Sequence, residues 1–226
     1  MKTNKCLFID LDNTLYHYQT AHTPAEKELI KYLSKQYKIS NFEAKIRYKK
    51  SRNKVKKYLG ETAGSHSKLL YLSHFNLIEK DGINLEKILT GHNVYWNSFL
   101  NNMKLFDGVI DFLSTARHQG FKIILITDLT TEIQYRKIKS LEIENLIDIL
   151  ITSEDAGGDK STGKPEKLLR DLYGDLAGIC IGDRGSDHLF RDNTIFFKKI
   201  SLTDKTLSKS ERNFTNFKKL SEEIFG

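Results

Sequence analysis

Short apolar runs alternate with helical patterns over most of this sequence. Five runs have the length and apolar content of buried strands, and they lie at residues 6–11, 122–127, 148–152, 178–182 and 194–198. Between the later runs, apolar residues recur at helical spacing, at residues 108–119, 131–141 and 166–173. Because strands and helices alternate, we predict an α/β fold, a Rossmann-like parallel sheet of about five strands with helices on both faces.

Residues 16–104 break this alternation, because they contain helical patterns and no good strand. Thr23 as N-cap, Pro24 in the first turn and Glu26 in a capping box predict a helix start. Further helices are predicted at residues 41–59, 65–76, 84–90 and 95–102, with a terminal helix near 215–225. We therefore predict a core domain from residues 1–15 and 105–226, and a helical domain, residues 16–104, inserted after the first strand.

The composition is that of a globular protein without a membrane span. The chain has 226 residues, of which 39% are hydrophobic and 29% are charged. No apolar run approaches the roughly 20 residues of a membrane-spanning helix, and the first residues do not form a signal-peptide pattern. Cys6 and Cys180 fall in predicted buried strands, so we expect neither a disulfide nor a metal from them. We expect a cytoplasmic protein.

The net charge of +7 is concentrated in the predicted helical domain. Residues 16–104 carry 16 lysines and arginines against seven acids, with a peak at residues 45–58. Three interpretations stay open, in this order: a solvated helix face, attraction of a small anionic substrate, and contact with nucleic acid. Three histidines of this domain, His66, His74 and His92, lack the spacing of metal ligands.

Two acids follow the first predicted strand directly. Asp10 and Asp12, with the hydroxyl of Thr14, can gather a divalent cation and a phosphate group at the end of a strand. An Asp-rich turn is the simpler interpretation. A calcium loop of the EF-hand type is excluded because Leu15 occupies the position that requires glycine.

Three further groups of polar residues follow the later strands. Thr127 ends the second strand, and Lys164 lies in a glycine-rich segment that is not a phosphate-binding P-loop, because Pro165 stands where serine or threonine is required. Asp183 and Asp187 follow the fourth strand. If the strands are neighbours, these acids meet Asp10 and Asp12 at one sheet edge, where they repel one another unless a cation, most suitably Mg²⁺, lies among them.

The pattern D-x-D-x-T, strand-Thr, Lys-Pro and G-D-x-x-x-D resembles the haloacid dehalogenase-like hydrolase superfamily. All four motifs occur in order between residue 5 and about residue 198, and the helical insertion resembles the first type of cap domain in that superfamily. A weaker resemblance, through D-N-T-L-Y at residues 12–16, is to the branch with pyrimidine 5′-nucleotidases. In that case Tyr16, His17 and Tyr18 line the pocket, or they only pack the cap against the core.

The resemblance implies a role for each motif. Asp10 attacks phosphorus and forms an aspartyl-phosphate, and Asp12 protonates the leaving oxygen and then activates water. Thr127 and Lys164 hold the transferring phosphoryl group. The implied Mg²⁺ ligands are Asp10, Asp12 (through its backbone carbonyl), Asp183 and Asp187.

Some positions depart from the family pattern. Asp128 adds an acid beside the phosphate, and Arg184 compensates for it. The segment before Lys164 is long and polar, so Lys160 is a weaker rival for the lysine role. We assign substrate binding to Thr14, Tyr16, Asp128 and Arg184.

The predicted activity is a Mg²⁺-dependent phosphatase that hydrolyses a small phosphomonoester of the nucleotide or sugar phosphate class. True dehalogenases of the superfamily lack the second acid of the first motif, which is Asp12 here. The alternatives are a phosphotransferase or phosphomutase on the same core, and a regulatory protein whose basic cap binds nucleic acid. We expect a small phosphorylated metabolite as the partner, and neither a membrane nor nucleic acid; the sequence does not predict an oligomeric state.

Overall fold

The computed structural model describes residues 5–78, 82, 84–187, 194–199 and 212–226, with the backbone alone for 194–199. The chain divides into two compact units. One consists of Met1–His17 with Lys104–Gly226 and is called the sheet unit here; the other is Tyr18–Met103 and is called the helical unit. These bounds lie within three residues of the predicted ones, while the identification of the helical unit as a cap stays a prediction.

A parallel sheet, with six strands in the described residues, forms the centre of the sheet unit. Its strands are β1 (Lys5–Ile9), β2 (Lys122–Thr127), β3 (Ile149–Thr152), β4 (Ala177–Gly182), β5 (Thr194–Lys199) and β6 (Arg212–Phe214). Every neighbouring pair is parallel, in the order β3-β2-β1-β4-β5-β6. The predicted Rossmann-like fold is confirmed, and each predicted run is a strand. The additional strand, β6, has only three residues and is too short to show a pattern in the sequence.

The position of β1 decides where the site lies. Ile9 pairs with Leu125 of β2 on one side and with Ile181 of β4 on the other. The chain therefore reverses its direction of winding between β1 and β4, and the carboxyl ends of strands at such a reversal form the usual binding crevice of an open α/β sheet. Four consecutive residues of β1 are buried, as expected for a strand with helices on both faces.

In the part of the helical unit that the structure describes, there are four α-helices: α1 (Tyr18–Tyr37), α2 (Asn41–Leu59), α3 (Lys68–Ile78) and α4 (Leu85–Asn101). The bounds predicted for α2 are confirmed, and Ser40 caps this helix by accepting a hydrogen bond from the Glu43 backbone amide at 3.1 Å. Residues 63–66 form a short 3₁₀ turn, so α3 begins later than predicted.

Two predictions about these helices are wrong. Pro24 lies inside α1 and not at its start. Proline has no amide hydrogen to donate to the preceding turn of the helix. The helix nevertheless begins before Pro24, because its buried face already includes Ala21 and packing on that face stabilises the first turn. The predicted break between residues 90 and 95 does not occur. Gly91 continues α4 because its missing side chain lets the backbone approach Tyr32, where a Cβ would lie 3.1 Å from the ring.

The lysines of α2 lie on its exposed face, whereas Arg47 and Arg52 are half-buried. Lys49, Lys50 and Lys54 are exposed, whereas Tyr48 and Val55 are buried. This exposure is what a solvated helix face requires, and the other two interpretations of the basic segment stay predictions. No helix in the described ranges is both long enough and apolar enough to cross a membrane.

The described residues of the sheet unit form five α-helices: α5 (Val109–His118), α6 (Thr131–Ser140), α7 (Ser153–Ala156), α8 (Lys164–Tyr173) and α9 (Phe217–Phe225). Helix α8 begins two residues earlier than predicted, because Pro165 fits its first turn. Part of the core on one face of the sheet consists of Cys6, Phe8, Ile124, Ile126, Ile151, Leu169 and Cys180. Cys6 and Cys180 are buried, and within the described part of the chain they form no disulfide.

Candidate active site

Asp10 is the first residue after β1 and is almost completely buried, with 6% of its surface exposed. Its backbone amide donates to the Ile181 carbonyl of β4 at 2.9 Å, which fixes the start of the loop against the neighbouring strand. The Thr14 hydroxyl donates to Asp10 Oδ2 at 3.0 Å. Thr14 was assigned to substrate binding; the structure instead shows a fully buried residue whose hydroxyl holds the Asp10 carboxylate.

Lys160 supplies the positive charge at Asp10. Its amine lies 2.5 Å from Asp10 Oδ1 and also binds Asp187 Oδ1, and its side chain is 4% exposed. Burial by itself would lower the pKa of Lys160, but the Asp10 and Asp187 carboxylates outweigh that effect and raise the pKa above its usual value. Lys160 is therefore a fixed ammonium group between two acids.

Lys164 does not occupy that position. Its side chain is exposed, and its amine donates to the Gly157 carbonyl at 2.8 Å. The sequence analysis preferred Lys164 to Lys160 for the site lysine, but the amine that contacts Asp10 is that of Lys160. The physical reason lies in the backbone: Lys164 begins α8, whereas Lys160 begins a 3₁₀ turn that directs its amine inward.

Asp128 explains how that turn is held. Its Oδ1 accepts a hydrogen bond from the Lys160 backbone amide at 2.9 Å. The additional acid, which was assigned to substrate binding, is thus engaged in anchoring the segment that carries the site lysine. Arg184, also assigned to substrate, has a side chain that is 68% exposed, with Nε 3.9 Å from Asp183 Oδ2.

Three carboxylates form a group that could hold a metal ion. Asp10, Asp183 and Asp187 each offer an oxygen within 4.8 Å of the other two, and among the described residues no histidine of the helical unit joins this group. Gly182 makes room for it, since a Cβ there would overlap the Asp187 carboxyl. The Arg184 backbone amide donates to Asp187 Oδ2 at 2.8 Å and orients that carboxylate.

The charges in this group fit a hard divalent cation. Burial, followed by repulsion from Asp187, raises the pKa of Asp183 to about 6. Burial also raises the pKa of Asp10 well above its usual value, although Lys160 opposes the shift. Crowded carboxylates that resist ionisation are stabilised as anions when a cation lies among them, and carboxylate oxygen is a preferred ligand of Mg²⁺.

The Asp12 carboxylate lies outside this metal group. The Lys137 amine donates to both of its oxygens, at 2.8 and 2.9 Å, and the Tyr16 hydroxyl donates to Oδ1. Tyr16, which we assigned to substrate binding, is fully buried. Its hydroxyl contacts Asp12, the predicted acid–base residue. Only the backbone carbonyl of Asp12 was expected to bind the metal, and that expectation stays a prediction.

Sequence reasoning missed Lys137 and Gln134, which both lie on the inner face of α6. The Gln134 Nε2 donates to the Thr127 hydroxyl at 2.9 Å and also to the Asp128 carbonyl. Both residues are 0% exposed. The signal that could have revealed them is their spacing, because residues 134, 137 and 138 share one helix face with Ile133, and a lysine within that buried stripe requires a charged partner.

A protein-family model matches most of this chain. The family model described as haloacid dehalogenase-like hydrolase matches residues 4–187. The chain belongs to this hydrolase family, which confirms the predicted superfamily, while the type of cap and the branch stay predictions.

One relative of known activity is similar to this chain in sequence. The chain is 31% identical over 157 residues to a ribulose-1,5-bisphosphate 5-phosphatase of Halopiger xanaduensis, an alignment that covers 68% of this chain and 65% of the relative. The chain thus spans just under two thirds of the length of that relative.

Solved structures show the same fold at low identity. A HAD phosphatase from Thermococcus onnurineus matches with a TM-score of 0.72 and 16% identity, covering 98% of each chain. A 2-haloacid dehalogenase from Pseudomonas syringae matches with a TM-score of 0.69 and 17% identity, covering 97% of each chain. Because a phosphatase and a dehalogenase match almost equally well, this similarity establishes the fold and leaves the chemistry to the site.

Proposed function

We propose that this protein is a Mg²⁺-dependent phosphatase that hydrolyses a small phosphomonoester through an aspartyl-phosphate on Asp10. The observation that carries the proposal is the surroundings of Asp10. Its carboxylate is held by Thr14 and Lys160 beside Asp183 and Asp187, at the sheet edge where binding crevices lie. A carboxylate that is fixed, buried and matched by positive charge is suited to act as a nucleophile.

In the first step an Asp10 oxygen forms a bond to phosphorus as the bond between phosphorus and the ester oxygen breaks. Asp12 gives its proton to the departing alkoxide, which leaves as an alcohol. In the second step Asp12 takes a proton from water, the hydroxide attacks phosphorus, and the bond to Asp10 breaks. The products are the alcohol and inorganic phosphate.

Lys160 and Thr127 are the groups we assign to the transferred phosphoryl. Lys160 opposes the rise in the pKa of Asp10 that burial causes, and it offers positive charge to the phosphoryl oxygens, the role that sequence reasoning gave to Lys164. The Thr127 hydroxyl is oriented by Gln134 at the end of β2. Positioning and charge neutralisation of this kind supply most of the catalysis in phosphoryl transfer.

We assign Mg²⁺ to the carboxylates of Asp10, Asp183 and Asp187 and to the backbone carbonyl of Asp12. The ion supplies positive charge that offsets the phosphoryl and carboxylate charges. The fit rests on the grouping of three acids and on the raised pKa values of Asp10 and Asp183.

The substrate class we favour is a sugar phosphate. The support is the similarity to a ribulose-1,5-bisphosphate 5-phosphatase, of which the alignment covers 65%. The burial of Tyr16 removes one of the aromatic residues that would have favoured a nucleotide base. Nucleotides therefore rank second in the panel of test substrates.

The test is phosphate release with Mg²⁺ over sugar phosphates, nucleotides and cofactor phosphates, with the Asp10→Asn variant in parallel. We expect release from at least one sugar phosphate, and a loss of about 10³-fold or more in the variant, because an amide does not replace a carboxylate nucleophile. Mass spectrometry after an acid quench should find phosphate on Asp10 of the unsubstituted protein. Near-normal turnover by Asp10→Asn would contradict the covalent mechanism. An isomerised sugar phosphate without free phosphate would favour the phosphomutase alternative.

A further inference from the structure

Lys137 is a buried lysine that the proposed chemistry has not used. It lies on α6, its side chain is 0% exposed, and its amine reaches both oxygens of Asp12 at 2.8 and 2.9 Å. Burying an ammonium group is costly unless it is paired and hydrogen-bonded. An apolar residue would fill this position of the helix at a lower cost, so the presence of a lysine calls for an explanation at Asp12.

Tyr16 contacts the same carboxylate from another direction. Its ring is fully buried, and its hydroxyl donates to Asp12 Oδ1. Tyr16 follows the first motif and is fixed by a backbone bridge to Leu105, while Lys137 is fixed within a helix. Two donors on separate elements prevent the carboxylate from rotating freely about its side-chain bonds.

The Asp12 carboxylate differs from its two partners in exposure. Its side chain is 28% exposed, whereas Lys137 and Tyr16 are fully buried. The two donors therefore hold Asp12 from the protein side and are shielded from bulk solvent. This arrangement suits a group that must present an oxygen to a ligand in a fixed direction.

We propose that Lys137 and Tyr16 form a clamp that positions Asp12 for proton transfer to the leaving oxygen. The inference rests on the proposed phosphatase function, and it makes Lys137 and Tyr16 positioning residues that act through Asp12. It predicts a dependence on the leaving group. An alkoxide needs the proton from Asp12, whereas a nitrophenolate departs without one, so loss of the clamp should affect the two kinds of ester differently.

The experiment compares Lys137→Met and Tyr16→Phe with Lys139→Met, which changes an exposed lysine of the same helix. Each variant is assayed with Mg²⁺ on p-nitrophenyl phosphate and on the best alkyl phosphate of the panel. For Lys137→Met we expect kcat on the alkyl phosphate to fall by roughly 10–100-fold, part of the roughly 10²–10⁴-fold that general acid catalysis supplies. Its KM and its kcat on p-nitrophenyl phosphate should change by less than about 3-fold, because binding and nucleophilic attack remain.

Tyr16→Phe removes one hydroxyl from a buried ring and keeps its shape, so it tests the clamp even if Lys137→Met does not fold. We expect a selective loss in the same direction, of roughly 3–10-fold, because one of the donors is gone. Lys139→Met should match the unsubstituted protein on both esters.

Equal losses on the two esters, or no loss on either, would overturn the clamp. Turnover by the unsubstituted protein measures the proposed function, while the ratio of the two rates in the variants measures the clamp, so the two failures are distinguishable. If the unsubstituted protein hydrolyses neither ester, both ideas fall together.

Discussion

Replacing Lys160 by methionine is the perturbation that most directly tests how the site is assembled. The amine of Lys160 binds Asp10 and Asp187 at once, and its side chain is only 4% exposed. Lys160→Met leaves two carboxylates close together without that charge. The paired variant, Lys164→Met, removes an exposed amine that donates to the Gly157 carbonyl at 2.8 Å.

The burial of Lys160 sets the expected loss of stability in Lys160→Met. Removing one partner of a buried ion pair costs about 3–5 kcal/mol, because the remaining charge is left uncompensated. We expect the low end of that range for Lys160→Met, since Asp10 already has a raised pKa and can take up a proton. That cost corresponds to a fall of about 6–12 °C in the melting temperature of a protein of this size. Loss of one preorganised charge at the phosphoryl should lower kcat by roughly 10²–10³-fold.

Thermal unfolding without Mg²⁺ and phosphate release with Mg²⁺ measure the two effects separately. Lys164→Met should lower the melting temperature by less than about 2 °C and kcat by less than about 3-fold, as expected for an exposed side chain. If Lys164→Met abolished activity and Lys160→Met retained it, the assignment of the phosphoryl-binding lysine would be refuted, and with it the account of the turn at residues 160–162.

Two further predictions concern the acids. Asp183→Asn should weaken Mg²⁺ binding by about 10–100-fold, because one carboxylate oxygen of the metal group is lost; titration calorimetry would measure it, and unchanged affinity would remove Asp183 from the ligand set. The pKa of Asp183 is raised to about 6 in the folded, metal-free protein. The folded state then binds more protons than the unfolded state between about pH 4 and 6, so this group contributes less stability as pH rises through that window. Mg²⁺ should therefore raise the melting temperature more at pH 8 than at pH 5, and an equal rise at both would contradict the assignment.

Five strands of the sheet, β1 to β5, were predictable because each carries its own signal in the sequence, whereas the short β6 does not. Strand β2 is a continuous apolar run with a polar residue at its end, and such a run can be recognised without knowing its neighbours. The acids that follow β1 and β4 could be placed together because parallel strands bring their carboxyl ends to one edge. The convergence of Asp10, Asp12, Asp183 and Asp187 was predicted on the condition that β1 and β4 are neighbours. The structure meets that condition and groups the carboxylates of Asp10, Asp183 and Asp187, while the Asp12 carboxylate contacts Lys137.

Local signals failed where tertiary packing decided the outcome. Pro24 has the sequence pattern of a helix start, yet α1 begins six residues earlier because Ala21 lies on its buried face. Gly91 has the pattern of a break, yet its lack of a side chain lets α4 approach Tyr32. In both cases the neighbouring helix decides the outcome, and no window of sequence around the residue contains that neighbour.

The lysines show the same limit within the site. Lys160 and Lys164 lie four residues apart, and only the course of the backbone decides which amine turns toward Asp10. Asp128 fixes the course of the backbone here, because its carboxylate accepts a hydrogen bond from the Lys160 amide. Asp128, an acid that looked unfavourable beside a phosphate, is therefore better explained as the residue that anchors Lys160. Lys137 lies 125 residues from Asp12 along the chain and approaches it only when α6 packs on the sheet. A family motif defines the residues that touch the phosphoryl group, whereas the residues that hold them are set by packing and have to be found in the structure.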